Sequence, residues 1–291
     1  MKVGIQTSCT DQTLTPQALA AEAEARGFST LLFAEHPHIP VGRASARPEH
    51  HGGGELPDYY KRTWDPFVAS SFAAAATTTL EIGTGICQLA LRDAIVTAKS
   101  AASIDRLSGG RFVFGVGFGW NADEFPSHGQ DFTHRHRVVR ERIGAIRSIW
   151  TEEVASYAGT FVNVAPSWCW PKPIASPHPP ILVGGDGPVA MKHAAEWADH
   201  WYPTSGALDG GAAGTIRALK DRAESFGRDP ATVDVWPLAL PGTEDRLLGE
   251  YAEAGVSRVN LAFPSRPGEE QLRELDRLAT LVSSTLGPDA C

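Results

Sequence analysis

Short runs of apolar and β-branched residues recur along the chain, separated by longer amphipathic stretches. Each run is too short for a helix and too continuously apolar for a strand with one solvated face. This pattern is typical of strands that are buried on both faces of a parallel sheet. The predicted strands are Val3–Thr7, Thr30–Ala34, Leu80–Cys87, Phe112–Val116, Ile181–Gly184, His200–Pro203, Val233–Leu240 and Arg258–Phe263.

A helical pattern follows each predicted strand. Thr15-Pro16 and Asp65-Pro66 each place a capping side chain before a proline, and Gly27 ends the first helix. The other helices are predicted at Asp93–Leu107, Thr133–Trp150, Gly187–Asp199, Ala212–Phe226, Thr243–Ala254 and Gly268–Leu286. Eight strand-helix units in succession predict an α/β fold of the closed (β/α)8, or TIM-barrel, type, formed by residues 1–291 as one domain.

Two connections are longer than usual for such a barrel. Residues 35–64 follow the second strand and are rich in His, Pro and Gly. Residues 151–180 form a second insertion in the unit of the fourth strand, with a predicted hairpin around Tyr157–Phe161. Because the loops that follow barrel strands form the catalytic face, we expect the first insertion to be a lid or pocket wall. The second insertion could cover the same face or mediate dimer contacts.

Charge and cysteine content exclude several classes of function. The chain has 26 basic and 34 acidic residues and a formal net charge of −8, whereas nucleic-acid binding needs clustered cations. Four widely spaced cysteines do not suit a disulfide framework or a zinc knuckle. No apolar run is long enough to span a membrane, and the N-terminus does not resemble a signal peptide. We therefore expect a cytoplasmic enzyme that binds neither nucleic acid nor membrane.

A histidine stands at the end of the second strand, in the segment Glu35-His36-Pro37-His38. At the mouth of a barrel, an imidazole is suited to proton transfer. His36 and His38, with His50-His51 nearby, could instead form the metal site of a barrel hydrolase. The last strand ends in Leu261-Ala262-Phe263-Pro264 without the aspartate that such hydrolases use, so we predict no metal and keep the hydrolase as an alternative.

Three glycine-rich segments follow strands three, four and five. Gly83–Gln88 suggests a bulge or the close approach of a ligand to the backbone, and Ser108–Asn121 contains Gly115, Gly117 and Gly119. Their spacing is not that of a dinucleotide-binding fingerprint, so we expect these glycines to expose bare backbone to a ring or a phosphate. Gly184–Pro188 leads into a helix, where free N–H groups can hold a phosphate.

The chain resembles the luciferase-like monooxygenase superfamily in four features that occur in the same order. They are His36, the Gly83–Gln88 segment, the Leu107–Asn121 block and the Gly184–Pro188 turn. The F420-dependent branch is the most similar. The resemblance implies a flavin-type cofactor at the carboxyl face, either coenzyme F420 or, as the alternative, FMN. It also implies a non-prolyl cis peptide near Ile86-Cys87-Gln88, His36 as the residue that handles protons, and a homodimer.

The resemblance also places residues around the cofactor and the substrate. Cofactor contacts are expected from Glu35, Ile86, Cys87, Gln88, Phe118, Gly119, Asn121, Gly184, Gly185, Gly187 and Val189. The expected walls of the substrate pocket are Tyr59, Tyr60, Trp64 and Trp120. The resulting hypothesis is hydride transfer between the deazaflavin and a small organic substrate, with reduction of an activated C=C or C=N bond. An FMN-dependent monooxygenase and a cofactor-binding protein without turnover are the alternatives on the same fold.

Overall fold

The computed structural model describes residues 1–46, 53–208 and 210–287. The α-helices in these ranges are α1 (Pro16–Ala25), α2 (Pro66–Ala75), α3 (Ala94–Leu107), α4 (Arg135–Thr151), α5 (Gly187–Trp197), α6 (Ala212–Ser225), α7 (Glu244–Glu253) and α8 (Gly268–Leu286). The strands are β1 (Lys2–Thr7), β2 (Thr30–Phe33), β3 (Glu81–Gln88), β4 (Phe112–Gly117), β5 (Ala155–Ala158), β6 (Asn163–Ser167), β7 (Ile181–Gly184), β8 (His200–Tyr202), β9 (Asp234–Val235), β10 (Leu238–Ala239) and β11 (Arg258–Phe263).

All the strands except β5 and β6 belong to one parallel sheet, in the order β10-β11-β1-β2-β3-β4-β7-β8-β9. β9 and β10 follow each other in the chain and stand at the two ends of this order. The sheet closes into a barrel because β9 pairs with β8 and β10 pairs with β11. A bridge between Thr204 and Leu238 adds a further link across the junction. The strands are buried, and the helices pack outside them. The predicted (β/α)8 barrel is therefore confirmed.

The seventh strand of the barrel differs from the prediction. Val233–Leu240 is not one strand but the two short strands β9 and β10, separated by Trp236 and Pro237. Proline has no N–H to donate to a neighbouring strand. The backbone remains tied on both sides, since Trp236 N donates to Trp201 O at 2.8 Å and Pro237 O accepts from Asn260 N at 2.9 Å.

The second insertion forms the predicted hairpin, with β5 and β6 antiparallel. The tip of the hairpin lies beside α4, where the Phe161 ring packs against His134 and Arg137 at the start of that helix. The chain then passes the end of α3, where Asp105 accepts hydrogen bonds from Ile174 N and Ala175 N. None of residues 151–180 lines the cavity at the carboxyl ends of the barrel strands, so the expectation that this insertion could cover the catalytic face is not met.

Glycines allow β3 and β4 to approach closely beside an irregularity in β3. Thr84 pairs with Phe114 and Cys87 pairs with Val116, so β3 carries an extra residue between these pairs. A Cβ atom at Gly83 would lie 1.9 Å from Val113 O, and one at Gly115 would lie 2.1 Å from Thr84 O. Any larger residue would force the two backbones apart.

The amino end of the barrel is closed by a cluster around Arg258. Its guanidinium pairs with Glu81 and lies over the ring of Trp236, 4.2 Å from the centroid. His200 stacks on the same ring at 3.8 Å. Burial, and secondly the charge of Arg258, lowers the pKa of His200 to about 3. The folded protein therefore holds this imidazole neutral.

None of the helices in the described ranges has the length and apolar character that a membrane span requires.

We expect Gly115→Ala to destabilise the barrel by about 1–3 kcal/mol, because overpacking forces backbone shifts. Gly249→Ala is the matched control. Gly249 lies in α7 with open space around its Cβ position, and the substitution should be neutral or stabilise the fold by up to about 1 kcal/mol. Urea denaturation of both variants measures the difference. Equal stabilities would show that β3 and β4 can separate without cost.

Acid should destabilise the fold in part through His200. In the unfolded chain the imidazole has a pKa of about 6.5 and becomes protonated below that pH, whereas in the folded protein it stays neutral. The contribution of the neutral His200 to the unfolding free energy is therefore fully present above about pH 6.5. It is lost as the pH falls toward 3. The unfolding free energy of His200→Phe should fall less than that of the wild type between pH 7 and pH 5. The exposed His134→Gln should follow the wild type, and equal slopes for all three proteins would contradict the assignment.

Candidate active site

A cavity of about 1070 Å³ opens at the carboxyl ends of the barrel strands. Its wall is built from the residues that end or follow β1, β2, β3, β4, β7, β8, β10 and β11. The first insertion contributes through the short helix Asp58–Lys61. The predicted residues that line the cavity are Glu35, His36, Tyr59, Tyr60, Ile86, Gln88, Phe118, Gly119, Trp120, Gly184, Gly185 and Val189.

The floor of the cavity is the irregular part of β3. The peptide bond between Gly85 and Ile86 is cis, one residue before the segment in which the resemblance placed it. A Cβ atom at Gly117 would lie 1.7 Å from Ile86 Cδ1, and one at Gly184 would lie 2.7 Å from Ile86 Cγ2. These two glycines therefore make room for the Ile86 side chain. The prediction that the strand-four glycines expose bare backbone therefore needs a correction at Gly117, where a ligand would meet Ile86 instead, whereas Gly119 does line the cavity.

His36 lies in the cavity wall with only 10% of its side chain exposed. Its Nδ1 atom is 2.9 Å from Glu124 Oε1 and 2.9 Å from Gln88 Nε2. The ring packs against Tyr60 and Trp120, with centroid distances of 5.0 and 5.7 Å. Because Nδ1 is engaged, Nε2 is the ring nitrogen that can exchange a proton with a bound molecule.

Glu124 is the main site residue that the sequence did not reveal. It lies on the 3-10 helix Ala122–His128, is fully buried, and accepts a hydrogen bond from Asn121 Nδ2 at 2.8 Å. The available signal was a pair of polar residues three positions apart, Asn121 and Glu124, next to the apolar Phe125. Such spacing puts both side chains on one side of a 3-10 helix, but it does not identify the histidine that they meet.

Glu35 was predicted to approach the cofactor ring, but its carboxylate is engaged elsewhere. It accepts hydrogen bonds from Gln88 N at 2.8 Å and from Arg92 Nε at 2.7 Å, and Arg92 also pairs with Asp65. Burial alone would lower the pKa of Arg92, but the hydrogen bond and charge of Glu35 outweigh it and raise that pKa above its usual value. Glu35 therefore anchors the end of β3 and, with it, the position of its neighbour His36.

The turn after β7 brings the start of α5 to the cavity. Gly184 and Gly185 line the cavity, and the Gly185 N–H donates to Tyr202 O at 3.3 Å. Val189 also lines it, in the first turn of α5, where backbone N–H groups have no acceptor within the helix. The carboxylate of Asp186 is turned away from these donors, since Thr204 N and Thr204 Oγ1 bind it at 2.8 and 2.6 Å. An anionic group could therefore approach this turn without direct opposition from Asp186.

Arg135 and His136, at the start of α4, also line the cavity and were not predicted. The His136 ring lies 4.3 Å from the ring of Phe118. Burial, and secondly the charge of Arg135, lowers the pKa of His136 to about 4. Arg135 itself packs on Phe132, and burial lowers its pKa. A cation in this position suits the phosphate side of a ligand.

Four predicted residues do not line the cavity. Cys87 is fully buried in the hydrophobic core, and Asn121 is buried beneath the wall with Glu124. Gly187 is the first residue of α5, with a φ of 80°. The Trp64 side chain is 43% exposed, and the backbone N–H of this residue donates to Cys9 O at 3.1 Å.

The histidines that suggested a metal site are arranged differently. His38 Nδ1 lies 3.4 Å from His128 Nε2, whereas His36 faces Glu124 and Gln88. In the part of the chain that the structure describes, no group of three or more His, Cys, Asp or Glu side chains could hold a metal ion. His50 and His51 lie outside the described residues.

Comparison with known proteins gives three informative similarities. An uncharacterized protein of Mycobacterium tuberculosis is 39% identical over 285 residues, which cover 97% of this chain and 99% of that protein. The FMNH2-dependent dimethylsulfone monooxygenase of Pseudomonas putida is 33% identical over 135 residues, or 45% of this chain and 37% of that enzyme. The structure of an F420-dependent secondary alcohol dehydrogenase superposes with a TM-score of 0.73 at 16% identity, covering 98% of this chain and 99% of that one.

Residues 13–246 match the family model of the luciferase-like monooxygenases. The family includes oxidoreductases and monooxygenases, and two of the similar proteins are an FMNH2-dependent and an F420-dependent enzyme. The match covers most of the barrel, including His36, the irregular β3 strand and the turn that leads into α5. The chain therefore belongs to the luciferase-like monooxygenase family.

Proposed function

We propose that this protein is an F420-dependent oxidoreductase that transfers hydride between C5 of the deazaflavin and a small organic substrate. The proposed reaction is the reduction of an activated C=C or C=N bond. The observation that carries this proposal is the position of His36: its imidazole lines a cavity large enough for a cofactor together with a substrate, and its inner nitrogen contacts a buried carboxylate. This arrangement leaves one defined atom, Nε2, to exchange a proton with the substrate.

The shape and chemistry of the cavity fit a tricyclic ring with an anionic tail. The volume of about 1070 Å³ slightly exceeds the common range for small-molecule sites. Ile86 and Gly85 offer a flat apolar floor for a ring. The backbone N–H groups in the first turn of α5, including that of Val189, and the guanidinium of Arg135 would hold the phosphate through hydrogen bonds and positive charge.

Bound F420 would supply the hydride chemistry. The protein's own residues position the substrate, exclude water and transfer the proton. Tyr59, Tyr60 and Trp120 form an aromatic wall beside His36, which suits a planar unsaturated substrate. His36 Nε2 delivers the proton that balances the hydride, and the Glu124 carboxylate stabilises the imidazolium that gives it up.

The alternative on the same fold is a monooxygenase that uses reduced FMN and oxygen. The similarity to the FMNH2-dependent dimethylsulfone monooxygenase supports this second candidate. The deazaflavin has a carbon atom in place of the flavin nitrogen N5 and, unlike reduced FMN, does not react readily with oxygen, so one protein is not expected to use both cofactors productively.

Cofactor preference is tested by titrating the purified protein with F420 and with FMN and following fluorescence quenching. We expect F420 to bind at least about tenfold more tightly than FMN, a difference of roughly 1.4 kcal/mol. Ile86→Trp should weaken the binding of both, because an indole at this position would fill the floor of the cavity. A preference for FMN would favour the monooxygenase, and failure to bind either would contradict the proposal.

Replacing His36 by alanine should slow turnover by about 10²- to 10⁴-fold, the usual contribution of general acid catalysis. The assay follows the oxidation of reduced F420 with cyclohexenone and a cyclic imine as test substrates. Affinity for F420 should change little, because the imidazole is proposed to act on the substrate. The exposed His134→Ala serves as the control. Turnover by His36→Ala at the wild-type rate would remove the imidazole from the reaction.

A further inference from the structure

Two groups compete for the same nitrogen of His36. Glu124 Oε1 and Gln88 Nε2 both lie 2.9 Å from Nδ1. A carboxylate can only accept a proton from Nδ1, whereas an amide N–H can only donate one to it. A neutral imidazole therefore satisfies one neighbour at a time, and the choice decides whether Nε2 faces the cavity as a proton acceptor or as a proton donor.

The surroundings of the two competitors are unequal. Glu124 is fully buried, and among the described residues the only basic side chain paired with it is His36. Among the described residues, Glu124 Oε2 and Gln88 Oε1 are both buried without a hydrogen-bond partner, but only the carboxylate carries a charge. A buried carboxylate is stable only when hydrogen bonds and a compensating charge support it. In the described structure, Asn121 Nδ2 donates one hydrogen bond to the Glu124 carboxylate. The other donor next to this carboxylate is a proton on His36 Nδ1.

Gln88 depends much less on the histidine. Its Nε2 also donates to Glu35 O at 3.2 Å, and its backbone N–H is held by the Glu35 carboxylate. The amide therefore keeps a partner when Nδ1 carries a proton. A hydrogen bond to an ionised carboxylate is also roughly twice as strong as one between neutral groups. Both differences favour Glu124.

We infer that Glu124 is the positioning residue of the site: it fixes His36 in the tautomer with the proton on Nδ1 and the free electron pair of Nε2 toward the cavity. When Nε2 takes up a proton, the resulting imidazolium is balanced by the carboxylate, so the ring can then deliver that proton to the substrate. This inference rests on the proposed role of His36 in proton transfer. It adds the residue that decides which ring nitrogen of His36 carries the proton.

The tautomer can be measured directly by NMR. Protein labelled with ¹⁵N-histidine gives separate chemical shifts for Nδ1 and Nε2 in long-range ¹H–¹⁵N spectra, with His36→Gln to assign the signal. In the wild type we expect Nδ1 to be protonated and Nε2 unprotonated. Glu124→Leu should reverse this state, because Gln88 then donates to Nδ1. The matched variant Gln88→Leu, which removes the competing neighbour, should retain the wild-type tautomer.

Turnover provides a second readout. Glu124→Leu should lose at least about 100-fold in kcat, within the range for general acid–base catalysis, while its affinity for F420 stays within about twofold. Glu124→Asp, which restores a carboxylate, should recover part of the rate. Glu244→Gln is the control, because Glu244 is a buried glutamate paired with Arg277, away from the cavity.

An Nε2-protonated wild type, or a tautomer that follows Gln88→Leu and ignores Glu124→Leu, would overturn the inference. The NMR experiment needs neither cofactor nor substrate, so its outcome is independent of the cofactor titration. If the protein bound neither F420 nor FMN while the tautomer still depended on Glu124, the proposed function would fail and the role of Glu124 in fixing the ring would stand.

Discussion

The site depends on the way Ile86 is packed where β3 leaves its regular pairing with β4. The side chain occupies space that exists only because Gly117 and Gly184 carry no Cβ atoms. Protein interiors are packed as densely as organic crystals. The space left by the missing side chain of each glycine is therefore filled by the isoleucine. The irregular strand end thereby gains one defined conformation, and an apolar surface faces the cavity.

The remaining site is assembled from this strand end. Gln88 comes two residues after Ile86, and its backbone N–H is bound by Glu35, which Arg92 holds in turn. This network fixes the segment that follows β2, in which His36 lies directly after Glu35. Glu124 approaches the same imidazole from the loop after β4. Three consecutive barrel strands thus supply the floor, the imidazole and the carboxylate, as the carboxyl face of a (β/α)8 barrel generally allows.

The barrel and the position of His36 could be predicted because they follow from local patterns, namely short apolar runs, helix starts and the end of a strand. The seventh strand was less predictable, since Pro237 removes a donor inside an otherwise apolar run. The family resemblance assigned Cys87 to the cavity. The irregularity in β3 instead leaves Ile86 and Gln88 facing inward while Cys87 joins the core.

The contact between His36 and Glu124 joins residues 88 positions apart, and local periodicity carries no information about such a pair. The same limit applies to the glycines. Their lack of a side chain is visible in the sequence, but the neighbour that fills the space is not. Which side chain turns toward which partner is decided by tertiary packing, and for Gly117 and Gly184 that partner is Ile86.

The most direct test of this account is a crystal structure of the protein with F420 bound. The account predicts electron density for the deazaflavin ring over Gly85 and Ile86, with its phosphate near Gly185 and Arg135 and its reactive face open toward His36 Nε2. Density for the ring at any other place on the barrel, or a cavity occupied by the protein's own side chains, would contradict it.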